Sequence, residues 1–145
     1  VAQGGIGTVT ITTTTSVSGD VTVSPTGVGG TVGLGSPTVT GDTVYTVTVA
    51  NPGSGNRYYI DGALQPTLNL SEGNTYVFNW SAATSHPLRF STTSDGTHNS
   101  GTEYTTGVVK DDSAYTTQIT VASGAPTLYY YCQNHSNMGG QINTP

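Results

Sequence analysis

A two-residue alternation of apolar and small polar side chains runs through this chain, broken every few positions by Gly, Asn or Pro. Such a pattern places one row of side chains on each face of a pleated strand. Residues 8–12, 20–24, 44–49 and 75–80 all carry it, and no stretch has the period of an amphipathic helix of useful length. Thr and Val, which suit half-buried pleated surfaces, are heavily used. The chain is therefore expected to be all-β.

The spacing divides the chain near Gly41. Residues 1–41 contain no aromatic side chain, and Asp20 is their sole charge. So few large apolar groups cannot bury enough surface to fold alone. A plain linker has no reason to alternate, so this segment reads as an extended, strand-forming arm that adds strands to a neighbouring sheet or subunit. Residues 42–145 hold nearly all the large apolar groups. Eight strands are expected there, at 44–49, 57–60, 67–70, 75–80, 87–91, 118–121, 128–132 and 141–143. Turns fall at Asn51 to Asn56, Asp61-Gly62 and Glu72-Gly73-Asn74. This count and spacing predict a two-sheet, Greek-key β-sandwich. Residues 92–115 form a polar excursion longer than a closed sandwich needs, a candidate recognition surface.

Charge narrows the function. The net charge is −5, and Arg57, Arg89 and Lys110 are the only basic side chains. Three scattered cations make no basic stripe, so nucleic acid and anionic membrane surfaces are not expected partners. No apolar run approaches the roughly 20 residues that span a bilayer. Charged residues make up 8% of the chain, against about 25–35% on independent soluble surfaces. A neutral Thr/Ser/Asn/Gly surface suits a shell, fibre or extracellular coat.

The chemistry gathers near the end of the chain. Tyr129-Tyr130-Tyr131-Cys132 reads as a strand, and His135 and Met138 follow Cys132 at intervals of three. His86 lies upstream in Ser-His-Pro-Leu. Cys132 is the chain's one cysteine, so it has no internal disulfide partner. Taken singly, it is a small buried hydrophobe, His86 a strand-end polar residue, His135 a loop tip and Met138 core. Together, a thiolate, two imidazoles and a weak thioether are the donor set of a blue-copper site. His98, in Asp-Gly-Thr-His-Asn, fits no motif and reads as a solvated loop residue. The chain's three His are too few for a multicopper oxidase, and its one Cys is too few for a dinuclear copper site. No motif sets His beside a nucleophile with an orienting carboxylate, so no enzyme activity is expected.

The sequence resembles the cupredoxins over residues 42–145. The similarity lies in Leu-Ser-Glu-Gly-Asn-Thr-Tyr-Val-Phe at 70–78, in the aromatic strand entering Cys132, and in Met-Gly-Gly at 138–140. The C-x2-H-x2-M spacing is similar to that of short-loop members. This resemblance implies one mononuclear copper ion, with His86, Cys132 and His135 equatorial and Met138 axial. It makes Pro87, Tyr131 and Asn134 the adjacent supporting residues. Many relatives place Asn after the first His, where its backbone N–H bonds the Cys sulfur. Pro87 has no N–H to give, which predicts a lower reduction potential. The arm, in turn, resembles Thr/Val/Gly repeats of marine tailed-phage virion proteins.

Three roles follow as expectations. The first is a structural or decoration protein on a virion surface or in an extracellular assembly, with residues 1–41 contacting neighbouring subunits. The second is a diffusible blue-copper electron carrier. The third is an adhesion domain that keeps the fold without metal.

Overall fold

A computed structural model describes residues 42–145; the expected arm, residues 1–41, lies outside the described residues. The described chain runs β1 (Thr43–Ala50), β2 (Arg57–Ile60), β3 (Ala63–Leu64), β4 (Leu68–Asn69), β5 (Thr75–Asn79) and β6 (Leu88–Ser91). A 3-10 turn (Gly96–Asn99) follows, then β7 (Val108–Asp111), β8 (Thr116–Thr120), β9 (Leu128–Cys132) and β10 (Gly140–Asn143). The strands form two mixed sheets, one ordered β3-β2-β1-β5-β8-β7 and the other β4-β10-β9-β6. The chain crosses between them after β3, β4, β5, β6 and β8, and this gives the expected Greek-key sandwich. No described helix is long and apolar enough to cross a membrane.

Alternation decides which faces meet. Tyr76, Phe78 and Trp80 are buried on one face at the end of and along β5, as their spacing predicted. On the opposing sheet, Leu88, Phe90, Leu128, Tyr130 and Ile142 are fully buried. Phe78 and Phe90 meet edge to face across the sandwich at 5.2 Å between ring centroids. Each such side chain contributes about 1.5–3 kcal/mol on burial. One polar chain also links the layers. Trp80 Nε1 donates to Thr117 Oγ1 at 3.1 Å, and that hydroxyl donates to the Leu88 carbonyl at 2.7 Å.

The turns follow their residues. Asp61 (φ 49°) and Gly62 (φ 84°) both sit in the left-handed region. That is the requirement of a type I′ hairpin turn, and Asp-Gly is among its preferred pairs. Two strands were not anticipated. β3 has two exposed residues, too few to show any alternation. β7 is mostly exposed and lies within residues 92–115; its pairing with β8 comes from the tertiary fold.

The excursion itself is not a free loop. β6 is buried along its whole length, including Arg89 and Ser91 on the face away from the core. Ser91 Oγ donates to the Thr102 carbonyl at 2.6 Å. Arg89 makes paired bonds to Asp112 at 2.9 and 2.8 Å. Residues 92–115 therefore cover the outer face of the four-stranded sheet.

Candidate metal centre

β9 delivers Cys132 to the end of the sandwich, and its pairing with β6 sets Cys132 opposite Leu88. His86 lies two residues before Leu88, so the sheet register brings the two together. The loop after β9 then turns back so that His135 faces the sulfur. Both His86 Nδ1 and His135 Nδ1 lie 3.7 Å from Cys132 Sγ. The two imidazole centroids are 4.6 Å apart, with the rings inclined at 47°. One donor atom from each of the three residues lies within 4.8 Å of the others.

These distances decide what the grouping can do. Bonds of about 2.0–2.1 Å to imidazole nitrogen and about 2.3 Å to thiolate, set 120° apart, separate the N and S donors by about 3.7–3.8 Å. Both observed separations match a single shared ion between the donors. His86, Cys132 and His135 are thus potential copper ligands, since a soft sulfur and two imidazoles suit that metal. Cys132 is fully buried, His86 half-buried and His135 exposed. Desolvation, and after it the neighbouring His135, holds the His86 pKa below the ordinary imidazole value. Both favour the neutral, metal-binding form.

Hydrogen bonds from the opposite sheet and the turn after it support the loops. Tyr58, on β2 of the opposite sheet, donates its hydroxyl to the His86 carbonyl at 2.6 Å. Its backbone N–H donates to the Met138 carbonyl at 2.8 Å. Burial first, and then the Cys132 sulfur, push the Tyr58 phenol well above its ordinary pKa. It therefore remains a donor. Gln65 Nε2 donates to the carbonyls of Asn137 at 3.1 Å and Gly139 at 2.8 Å. A side chain at Gly139 would collide with the Tyr130 carbonyl, so the turn into β10 requires glycine.

The other expected residues fall as follows. Met138 is buried within the core cluster beneath the loop. The Pro87 carbonyl accepts from the Gln133 N–H at 2.9 Å. Asn134 Nδ2 donates to the Ser85 carbonyl at 3.1 Å, joining the two ligand loops. Tyr131 is buried and points to the outer face, edge-on to His98 at 6.2 Å between centroids.

His98 requires a correction. It is exposed, but its Nε2 lies 2.7 Å from the Cys132 carbonyl oxygen, so it is not simply solvated. Its contact is 34 residues distant in sequence, and no local motif signals it. The same holds for Tyr58 and Gln65. Their residue types are ordinary strand and turn choices, and only the packed fold carries them to the ligand loops.

No family model matches the chain, and no curated protein does. Among solved structures, rusticyanin from Thiobacillus ferrooxidans is similar at 19% identity, with a TM-score of 0.45, over 72% of this chain and 77% of that one. A second rusticyanin structure, described as a copper protein, has 18% identity and a TM-score of 0.47 over 72% and 78% of the two chains. Reduced rusticyanin has 17% identity and a TM-score of 0.43 over 72% and 79%. On their own geometry, residues 42–145 form a two-sheet β-sandwich. Their His-Cys-His grouping, at the end of the penultimate strand, is consistent with a blue-copper site.

Proposed function

We propose that residues 42–145 bind one copper ion through His86 Nδ1, Cys132 Sγ and His135 Nδ1, with the Met138 thioether as a weak axial donor. The observation that carries this reading is the pair of equal 3.7 Å sulfur–nitrogen separations on either side of Cys132. Copper would supply a reversible one-electron change; the chain supplies a buried sulfur, two imidazoles and bracing hydrogen bonds. The test is an absorption spectrum after Cu(II) addition. An intense band near roughly 600 nm, lost in Cys132→Ser, is expected of a blue site. Its absence from the wild-type protein would sink the reading.

For the biological setting, the reading is a copper-bearing domain of a structural or decoration protein on a virion surface or in an extracellular assembly. Low charge and the alternating arm at residues 1–41 support it. A diffusible carrier is the second reading, favoured by the exposed His135 beside a buried sulfur. The exposed polar flanks Asn134, Ser136 and Asn137 weaken it, because carriers dock through apolar surroundings. Size-exclusion chromatography separates the two. An assembly protein loses self-association when residues 1–41 are removed, whereas a carrier is monomeric with or without them.

A further inference from the structure

The 3-10 turn and its preceding residue touch the ligand loop and the strand entering it at three separate places. Asp95 Oδ1 accepts the Asn137 N–H at 2.8 Å. His98 Nε2 meets the Cys132 carbonyl at 2.7 Å. Between them, buried Gly96 lies flat on the Tyr131 ring, so close that a Cβ there would sit 2.5 Å from a ring carbon. A carbonyl oxygen only accepts, so Nε2 must carry the hydrogen and the tautomer of His98 is fixed.

The loop has need of such contacts. Asn137 holds φ at 62°, a left-handed conformation that persists in a non-glycine residue when its surroundings enforce it. Its N–H is the one that Asp95 takes. Asp95 and Ser100 flank the turn at φ 62° and 61°, so the turn itself is tightly specified. Its shape is fixed by the Gly96 N–H to the Thr93 carbonyl at 2.9 Å and the Gly101 N–H to the Gly96 carbonyl at 3.0 Å. The first and last parts of the Cys132–Met138 loop are thereby gripped from one side by an element separate from both sheets.

We propose that residues 95–98 are a brace that holds the Cys132–Met138 loop in its metal-binding shape before metal arrives, with His98 the positioning residue at the Cys132 end. The metal part of this inference rests on the copper reading above; the bracing part does not. His98 is not a ligand here: its Nε2 is committed to a carbonyl. By fixing the peptide of Cys132, it limits the directions in which the thiolate can point. Partners of this kind typically alter metal affinity about 10–100-fold.

The experiment uses the full chain, metal-free and copper-loaded, with His98→Ala, His98→Gln and Asp95→Ala. In metal-free protein, amide exchange at Asn137 is expected to speed up about tenfold or more in His98→Ala and Asp95→Ala, with amides of β5 unchanged. Cu(II) affinity should fall about tenfold or more in His98→Ala and recover in His98→Gln, whose amide can donate to the same carbonyl. Unchanged Asn137 exchange in both alanine variants overturns the brace, whatever copper does. If the wild type takes no copper, the copper reading falls while the exchange result still decides the brace. Nitrogen chemical shifts of wild-type His98 give a check that needs no variant. An Nε2 without its proton also overturns the proposal.

Discussion

Tyr58 is fully buried, and its hydroxyl hydrogen goes to the His86 carbonyl at 2.6 Å. Replacing it with Phe keeps the ring and its packing but leaves that carbonyl without its partner. An orphaned, partly buried acceptor costs about 1–3 kcal/mol. We expect Tyr58→Phe to lower the stability of the metal-free protein by about 1–2 kcal/mol, measured by urea denaturation with an unchanged slope. A change below a few tenths would mean that water replaces the hydroxyl. Pro87 bears on the copper reading at the same scale. It has no N–H to offer, and its carbonyl is already used by Gln133. Pro87→Asn adds a donor, and a hydrogen bond to the sulfur stabilises its negative charge and so favours Cu(I). Hydrogen bonds to charged groups contribute about 1.5–3 kcal/mol. Only the difference between oxidation states counts, so the reduction potential should rise by tens of millivolts at about 59 mV per tenfold. Voltammetry that finds no rise, or a fall, contradicts this account of Pro87.

At the scale of elements, residues 92–115 have their own energetics. They bury Arg89 to 2% exposure on the outer face of β6, while its partner Asp112 stays 59% exposed. Removing one partner of a buried pair costs about 3–5 kcal/mol. Asp112 is solvated, and Gln133 still holds Arg89 Nε at 3.0 Å, so solvent screening reduces that figure. Asp112→Ala should therefore cost about 1–2 kcal/mol in thermal or urea unfolding; a neutral result would show that Gln133 and the Leu88 carbonyl suffice. This element also marks what the sequence could not say. β5 was readable because Tyr76, Phe78 and Trp80 follow a strict period of two. Cys132 and His135 were readable because they stand three residues apart directly after a strand. The cover over β6 has no period, since its order comes from Arg89 and Ser91 on β6 and Tyr131 on β9. The sequence shows a length of polar chain but not the face that it covers. His98 was misread for the same reason: its partner is a backbone carbonyl, which leaves no trace in side-chain identity.

For the whole molecule, the metal grouping and the fold are linked by mass action. His86 sits in the connection before β6, Cys132 at the end of β9 and His135 on the loop before β10, so an ion bound by all three joins segments that separate on unfolding. The unfolded chain retains at most the nearby Cys132 and His135 as a pair, and His86 lies 46 positions away. Binding is therefore much tighter to the native state, and it stabilises that state by RT ln(1 + [L]/Kd). At a free Cu(II) concentration of one hundred times Kd this is about 2.7 kcal/mol. For a domain of roughly 100 residues, each kcal/mol moves Tm by about 4–8 °C. Copper should then raise Tm by about 10–20 °C, and the rise should grow with the logarithm of free copper. Cys132→Ser removes the thiolate but nearly preserves volume. It should stay folded without metal and show little or no copper-dependent rise. Equal shifts in wild type and Cys132→Ser would place the bound ion elsewhere, on surface carboxylates or His98, and would separate the fold from the function assigned to it.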